Sequence, residues 1–188
     1  GAIPPTPVLM GIGIVEDIRK CVTSDLKNKG DIWIVGKNKE QMGASLYYRT
    51  QGINCSNVPT TDFDSFIPRM EQLIEAIESG EVSACHDVST GGIALAVIEM
   101  CMGGVGSKIN LSGDMRDDLE LFNESNGRWI VQVKPEFEEK FSKRFDFARK
   151  IGHVNNEISF NLSEGEEVRF SIDELRKIWT EPLWNRLA

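Results

Sequence analysis

The segment HDVSTGG at residues 86–92 lies between two apolar runs, so it is expected to join the end of a strand to the start of a helix. Free backbone N–H groups at a helix start, with glycines that permit close approach, suit a phosphate or another anion. Asp87 can instead hold Mg²⁺, which prefers carboxylate and phosphate oxygens. In the structural alternative, Asp87 or Ser89 only caps the helix and the glycines relieve crowding. The candidate site residues here are His86, Asp87, Ser89, Gly91 and Gly92, with Asp87 as the candidate metal ligand.

A second polar segment, FNESNGR at residues 122–128, directly precedes the apolar run WIVQV. It gathers an acid, two amides, a hydroxyl and a guanidinium, and such a cluster can bind a ribose phosphate with Arg128 as a bidentate donor. Polar turns select the same residue types, because Asn and Gly tolerate a left-handed backbone. Local chemistry leaves both interpretations open. The candidate residues of this segment are Glu124, Ser125, Asn126 and Arg128.

Several familiar sites are not encoded elsewhere in the chain. Residues 30–36 lack the Gly-Lys-Ser/Thr ending of a triphosphate-binding loop, and the glycines of GIGIVED precede a strand instead of opening a helix. The four cysteines include no CxxC pair, and the two histidines are not at ligand spacing, so neither a zinc site nor a disulfide framework is indicated. No catalytic triad is compelling either.

The composition also restricts the possible partners. The formal net charge is -8 and the pI is about 4.9, which argues against nucleic acid because a phosphate backbone needs a basic face. Apolar runs stay well below the roughly 18 to 20 residues of a membrane span, so no membrane partner is expected. Scattered cysteines are typical of a reducing compartment, which predicts a cytoplasmic protein.

Short apolar runs bounded by turn residues predict the strands. These are GIGIV (11–15), DIWIVG (31–36), VSACHDV (82–88), GVGSKINL (104–111), GRWIVQV (127–133) and two tail strands, around residues 151 and 158–162, paired through a turn near 155–156. Helical periodicity or capping residues predict the helices. These cover about 39–49, 65–79 ended by Gly80, 93–102, 114–122, 134–145 and 171–179, the last with a capping box of Ser171 and Glu174.

Strands and helices are thus mixed without strict alternation, which predicts an α+β fold with helices packed on a mixed sheet. A chain of 188 residues is expected to form a single domain over 1–188, with residues 1–5 as a linker or remnant of a longer polypeptide. Residues 51–64 are expected to be a loop and the acidic run 164–167 a solvated turn. Trp179 and Trp184 are expected to be core or interface anchors.

Five segments in order resemble the C-terminal region of the phosphoribosylformylglycinamidine synthases, within the aminoimidazole ribonucleotide synthetase superfamily. The segments are PPTPVLMGIGIVED, GDIWIVG followed by MGAS, CHDVSTGGIALAVIEM, LFNESNGRWIVQV and SIDELRKIW. The resemblance spans nearly the whole chain. It implies a part of an ATP-dependent ligase that converts formylglycinamide ribonucleotide to formylglycinamidine ribonucleotide in purine biosynthesis, with ATP and Mg²⁺ as cofactors.

The same resemblance implies that the chain is incomplete as a catalyst, because the main ATP-binding loops and the family's catalytic histidine lie in N-terminal domains. Those domains, a glutaminase subunit and a small accessory subunit are the implied partners, and exposed apolar surfaces make a homodimer of the isolated domain conceivable. Asp87 matches a Mg²⁺ ligand of the family, and Glu124, Ser125 and Asn126 match a turn that touches substrate. The family's large subunit resembles two fused copies of a unit made of an N-terminal and a C-terminal domain, and this chain resembles the second C-terminal domain. The Mg²⁺ and substrate roles belong to the first copy, and in the second copy the matching residues would serve a pseudo-symmetric auxiliary nucleotide site.

Three positions depart from the family pattern. Thr90 stands where an acidic residue is common, Gly43-Ala44 replaces Gly-Gly, and Asn126-Gly127 differs from the usual residues before Arg128. These departures keep two alternatives open. One is a non-catalytic packing or auxiliary-nucleotide module of the same subunit, and the other is the C-terminal domain of a related synthetase such as aminoimidazole ribonucleotide synthetase.

Overall fold

A mixed sheet of seven strands organises the protein, as seen in a computed structural model that describes residues 8–187, with side chains described through 182. The strands are β1 (Asp31–Val35), β2 (Val82–Asp87), β3 (Gly106–Asn110), β4 (Trp129–Val133), β5 (Ala148–Asn155), β6 (Ile158–Asn161) and β7 (Glu167–Phe170). Their order is β2-β4-β1-β5-β3-β6-β7, and all neighbours are antiparallel except β3 and β6. The predicted α+β fold is confirmed.

Helices cover both faces of the sheet. The α-helices are α1 (Leu46–Thr50), α2 (Phe63–Glu78), α3 (Gly92–Cys101), α4 (Asp117–Phe122), α5 (Glu138–Arg144) and α6 (Ile172–Leu187), with 3-10 turns at Ile18–Lys20 and Pro135–Phe137. One core packs α3 and the start of α6 on the sheet, and the other packs α2 and α5 on the opposite face. Strand β1 supplies Ile32 and Ile34 to the first core and Trp33 and Val35 to the second. A strand buried on both faces reads as a continuous apolar run, which explains the composition of DIWIVG.

The register of the central strands brings four strand ends to one rim of the sheet. Val35, the last residue of β1, pairs with the first residues of β4 and β5, Trp129 and Ala148. Asp87, the last residue of β2, also pairs with Trp129. The polar loops that follow β1 and β2 and precede β4 and β5 therefore share this rim, called the loop rim below.

The predicted first strand, GIGIV at residues 11–15, is wrong. This segment carries no strand assignment, and its apolar side chains are exposed, Ile14 by 96%. A strand needs a hydrogen-bonded neighbour, and among residues 8–187 none pairs with this segment. The chain first joins the sheet edge by a single parallel bridge of Thr23 with Ala84. The predicted linker at residues 1–5 lies outside the described residues.

Two further predictions of local structure need correction. The helix expected at 39–49 is confined to α1, since Ala44 has a left-handed backbone, with φ of 61°, and Ser45 caps the helix that follows. The tail strands β5 and β6 do not pair with each other, because β3 lies between them. Alternation of apolar residues identifies a strand but carries no information on its neighbour.

The C-terminal helix begins as predicted, with the Glu174 backbone N–H donating to the Ser171 hydroxyl at 3.4 Å. Trp179 is 64% exposed, so its predicted place in the core is wrong, while an interface role stays a prediction. The predicted place of the Trp184 side chain lies outside the described residues, and the homodimer also stays a prediction. No helix in the described part of the chain combines the length and apolarity required to cross a membrane.

The acidic run at 164–167 is a solvated turn only in part, because Glu167 begins β7. Its carboxylate lies 3.2 Å from the Lys108 Nζ atom on β3 and 2.6 Å from the Arg169 Nη2 atom. The hydrogen bonds from Arg169 and then Lys108 lower the pKa of Glu167 to about 2. This carboxylate thus joins the edge strand β7 to β3 across β6.

The Glu167→Gln variant is expected to lose the pH dependence that this carboxylate contributes. Because the folded-state pKa lies below the ordinary value of 4.5, the stabilisation is present above about pH 4.5 and disappears as the pH falls toward 2. Urea unfolding between pH 7 and pH 3 should show a wild-type advantage that shrinks with acidification. The exposed Glu164→Gln variant serves as the control, and a constant difference between wild type and Glu167→Gln would contradict the assignment.

Candidate functional site

The segment at residues 86–92 forms the connection from β2 to α3, as the sequence predicts. The side chains of Asp87, Ser89 and Thr90 are exposed at the loop rim. The residue before α3 is Gly91, which has φ of 80° and provides no side-chain cap. The hypothesis that Asp87 or Ser89 caps this helix is therefore wrong, and their polar groups remain available to a ligand.

Glu124 provides the missing cap from the other loop. Its Oε1 atom accepts the Gly91 backbone N–H at 2.8 Å and the Leu46 backbone N–H at 2.8 Å, so one carboxylate satisfies donors at the starts of α3 and α1. The backbone N–H of Val88 also donates to the carbonyl of Arg128 at 2.9 Å. The predicted side-by-side arrangement of the loops at 86–92 and 123–128 is confirmed.

Arg128 does not act as an outward phosphate donor, which corrects the sequence-based hypothesis. The residue is only 1% exposed, and its Nε atom donates to the Ser125 carbonyl at 2.9 Å. Its two terminal nitrogens donate to the Asn123 carbonyl and to the Asn38 side-chain oxygen. Burial lowers the pKa of the Arg128 guanidinium to about 10. The N–H groups of the guanidinium, which could otherwise bind a phosphate, instead bind acceptors in and beside the turn and so stabilise its shape.

Ser125 is likewise fully buried and structural in its contacts. Its hydroxyl accepts the Lys39 backbone N–H at 3.1 Å and donates to the Lys39 carbonyl at 3.2 Å. The Asn123 amide also donates to the Lys39 carbonyl. These bonds hold the loop after β1 against the turn at 123–128. The roles of Asn38 and Asn123 were not predicted from the sequence. The composition of a polar turn does not indicate that its arginine is buried and needs these residues as acceptors.

His86 links β2 to α3 and does not line the groove between the loops. Its Nδ1 atom lies 2.7 Å from the Asp87 carbonyl oxygen, and its Nε2 atom lies 3.1 Å from the Glu99 Oε2 atom in the last part of α3. Because a carbonyl only accepts, Nδ1 must carry the proton in the first of these bonds. His86 thus positions the strand end from which Asp87 projects.

A groove of about 480 Å³ separates the two loops. Asp87, Ser89, Thr90, Glu124 and Asn126 give it polar walls. Phe66 and Trp129 contribute an aromatic pair, stacked with ring centroids 5.6 Å apart. Polar hydrogen-bonding groups beside an aromatic surface suit a nucleotide or another small polar ligand. Phe66 was missed from the sequence because it lies on α2, about sixty residues away from the turn that it approaches.

The groove offers few protein ligands to a Mg²⁺ ion. Within the described part of the chain, no three acidic, histidine or cysteine side chains are arranged so that together they could hold a metal ion. Mg²⁺ is commonly held by one or two carboxylates together with phosphate oxygens and water. The Asp87 carboxylate, with 68% of its side chain exposed, fits such a shared site as a single protein ligand. Glu124 is less available, because its Oε1 atom already accepts two backbone N–H groups.

Residues 28–163 match the family described as AIR synthase related protein, C-terminal domain. The chain belongs to this family. The matched range contains both loops of the groove and the sheet from β1 to β6. The preceding exposed segment, including GIGIV, and the final strand and helix lie outside it.

Solved structures of two related proteins share the fold. PurL of Thermotoga maritima complexed with FGAR superposes with a TM-score of 0.69 at 18% identity, over 85% of this chain and 30% of that one. The PurLQS structure of the same organism gives 0.67 at 19% identity, over 85% and 28%. A HypE structure in complex with ATP gives 0.59 at 17% identity, over 82% and 54%. The chain thus spans less than a third of the PurL proteins it matches.

The Gly92→Ala substitution is expected to destabilise the fold strongly. A Cβ atom there would lie 2.5 Å from the Leu121 carbonyl oxygen, and the residue has φ of 67°. Backbone strain and a collision with main-chain atoms should together cost about 2–4 kcal/mol. Gly52→Ala is the matched control, since Gly52 has φ of 68° but open space around it, and should cost only about 1 kcal/mol. Equal unfolding free energies for the two variants would contradict the close contact.

Replacing Arg128 by Lys is expected to destabilise the protein by about 2–4 kcal/mol, because a single ammonium nitrogen cannot reach the three separate acceptors that the guanidinium binds. Urea unfolding measures this loss. Arg49→Lys, at an exposed arginine, should leave the unfolding free energy within about 0.5 kcal/mol of wild type. Wild-type stability of Arg128→Lys would show that the guanidinium network is not needed for folding.

Proposed function

We propose that this chain is the C-terminal domain of an ATP-dependent synthetase that converts formylglycinamide ribonucleotide to formylglycinamidine ribonucleotide. The observation that carries the proposal is the groove between the loops at 86–92 and 123–128, with the Asp87 carboxylate exposed at its edge. Family membership and the similarity of fold to a PurL complexed with FGAR support it.

In this proposal the outward side chains contact the ligand, and the buried ones maintain the shape of the loops. Asp87 would bind Mg²⁺ together with phosphate oxygens, and the hydroxyls of Ser89 and Thr90 would donate to the same anion. When bound, ATP supplies the phosphoryl group that activates the amide oxygen for displacement by ammonia. Asn126 would orient the ligand at the opposite wall, where its amide now donates to the Thr61 hydroxyl at 2.9 Å.

The reaction would need more than this domain. The N-terminal domains of the same subunit would provide the remaining ATP contacts, and a glutaminase subunit with a small accessory subunit would supply ammonia. Two structures of similar fold contain further proteins: PurL is solved as PurLQS, and HypE is solved with HypF. The groove opens at the loop rim and would meet the neighbouring domain there.

A second candidate function is a packing or auxiliary-nucleotide module within the same subunit. The burial of Arg128 and Ser125 favours it, because two residues that would contact substrate are occupied by internal hydrogen bonds. In this case the exposed Asp87 would hold a permanently bound nucleotide through Mg²⁺, or no ligand. Substitution of Asp87 should lower turnover under the first hypothesis and stability under the second.

Asp87→Asn in the full-length subunit is expected to lower kcat/KM for ATP at least about tenfold, because a neutral amide is a poor ligand for Mg²⁺. ADP release in the presence of formylglycinamide ribonucleotide and ammonia measures the rate. The melting temperature should not change, since the Asp87 side chain is largely exposed.

Asp173→Asn is the control, because that side chain is also largely exposed but lies on α6. Loss of turnover in Asp87→Asn alone would support the active-site proposal. A lowered melting temperature with unchanged turnover would favour the packing or auxiliary module instead. Wild-type behaviour of Asp87→Asn in both measurements would exclude Asp87 from either role.

A further inference from the structure

A second cavity on the loop rim, of about 210 Å³, adjoins the groove and contains three cationic side chains. Lys37 and Lys39 follow β1, and Arg69 lies in the first half of α2. This cavity, called the cationic pocket, shares Phe66 and the Asn126–Gly127 turn with the groove. The two cavities therefore lie next to each other on the rim.

The three cations form no direct ion pair within the part of the chain that the structure describes, although other lysines and arginines do. The Lys37 Nζ atom lies 3.9 Å and the Arg69 guanidinium carbon 5.5 Å from the centroid of the Phe147 ring. An aromatic face attracts a cation but does not neutralise its charge. Positive charge that converges unpaired in a chain of net charge -8 indicates an anionic ligand.

The single acidic residue lining the pocket, Asp62, does not remove this excess. Its Oδ2 atom accepts the Ser65 hydroxyl at 2.9 Å and its Oδ1 atom accepts the Asp64 backbone N–H at 3.2 Å. Hydrogen bonding from Ser65 holds the pKa of Asp62 below its ordinary value, so the group is ionised. Three cations against one carboxylate leave the pocket with a formal excess of two positive charges.

The pocket is held in place by the network of the neighbouring turn. The Arg69 Nη1 atom donates to the Gly127 carbonyl at 3.1 Å, which leaves its other nitrogens available to a ligand. The main chain of Lys39 is fixed because its N–H donates to the Ser125 hydroxyl and its carbonyl accepts from both Ser125 and Asn123. Donors whose backbone is already fixed lose less entropy when a ligand binds.

We propose that the cationic pocket binds the phosphate of a ribose 5-phosphate monoester, whose sugar then lies over the Asn126–Gly127 turn toward the groove. Ammonium and guanidinium groups are the strongest protein donors to phosphate, and the cavity is smaller than the groove that it adjoins. The assignment rests on the proposed function only for the identity of the molecule that carries the phosphate. It adds Lys37, Lys39 and Arg69 as recognition residues outside the two loops identified from sequence.

The test compares Lys37→Gln/Lys39→Gln with the control Lys20→Gln/Lys29→Gln, which removes two exposed lysines elsewhere. Ribose 5-phosphate is titrated into each ¹⁵N-labelled 188-residue chain at constant ionic strength, and the amide shifts of Ser65 and Gly127 report binding. We expect saturable binding that weakens at least about tenfold in the first variant and less than twofold in the control. Equal affinities in the two variants, or no binding by the wild type, would overturn the proposal.

A second titration, with Mg²⁺ and ADP, tests whether the ligand of the cationic pocket is a phosphate monoester or a nucleoside diphosphate. The proposal expects ribose 5-phosphate binding to depend on Lys37 and Lys39 and to change less than twofold in the Lys20→Gln/Lys29→Gln control. If the two lysines affect only ADP, the pocket belongs to the nucleotide and the monoester assignment fails. Failure of the proposed function is seen separately, as unchanged turnover of the full-length Asp87→Asn subunit, and leaves phosphate binding by the isolated chain intact.

Discussion

The buried guanidinium of Arg128 is the constraint on which the loop rim depends. A buried cation is tolerated only when acceptors surround it, and here two main-chain carbonyls and the Asn38 amide oxygen meet this need. The turn at 123–128 must curve around the side chain to present those carbonyls. The same curvature directs Glu124 toward the first N–H groups of α1 and α3. A single charge inside the turn thereby fixes the positions of three loops.

The polar residues of the loop rim fall into two groups, one that stabilises the loops and one that is free to bind a ligand. Arg128, Ser125 and Asn123 point inward and satisfy backbone groups, so their substitution should affect folding first. Asp87, Ser89 and Asn126 point outward and have few internal bonds, so their substitution should affect binding first. A motif that resembles a ligand-binding sequence can therefore contain only a minority of residues that are free to touch a ligand.

The parts of the fold that sequence reasoning predicted are those set by local burial. The apolar run of DIWIVG predicted β1, and the spacing of Leu73 with its neighbours predicted α2, because each pattern reflects one element against the core. The position of β3 between β5 and β6 depends on pairing over long sequence separations, which alternation does not encode. GIGIV has the composition of a buried strand yet remains exposed, since β propensity describes a fit to a sheet that residues 8–187 do not offer it.

The sequence predicted which loops form the candidate site but not the orientation of each side chain. The residues of the two loops were identified because Gly, Asp and Asn mark chain reversals, and their proximity follows from the antiparallel pairing of β2 with β4. Whether each side chain points in or out depends on burial, which turn composition does not reveal. Lys37 and Arg69 carried no signal at all, because isolated cations are common on solvated surfaces. Their meaning appears only when the fold brings them to one ring, that of Phe147, in an acidic protein. The charge that matters for recognition is thus the local excess at the rim, which can oppose the sign of the whole chain.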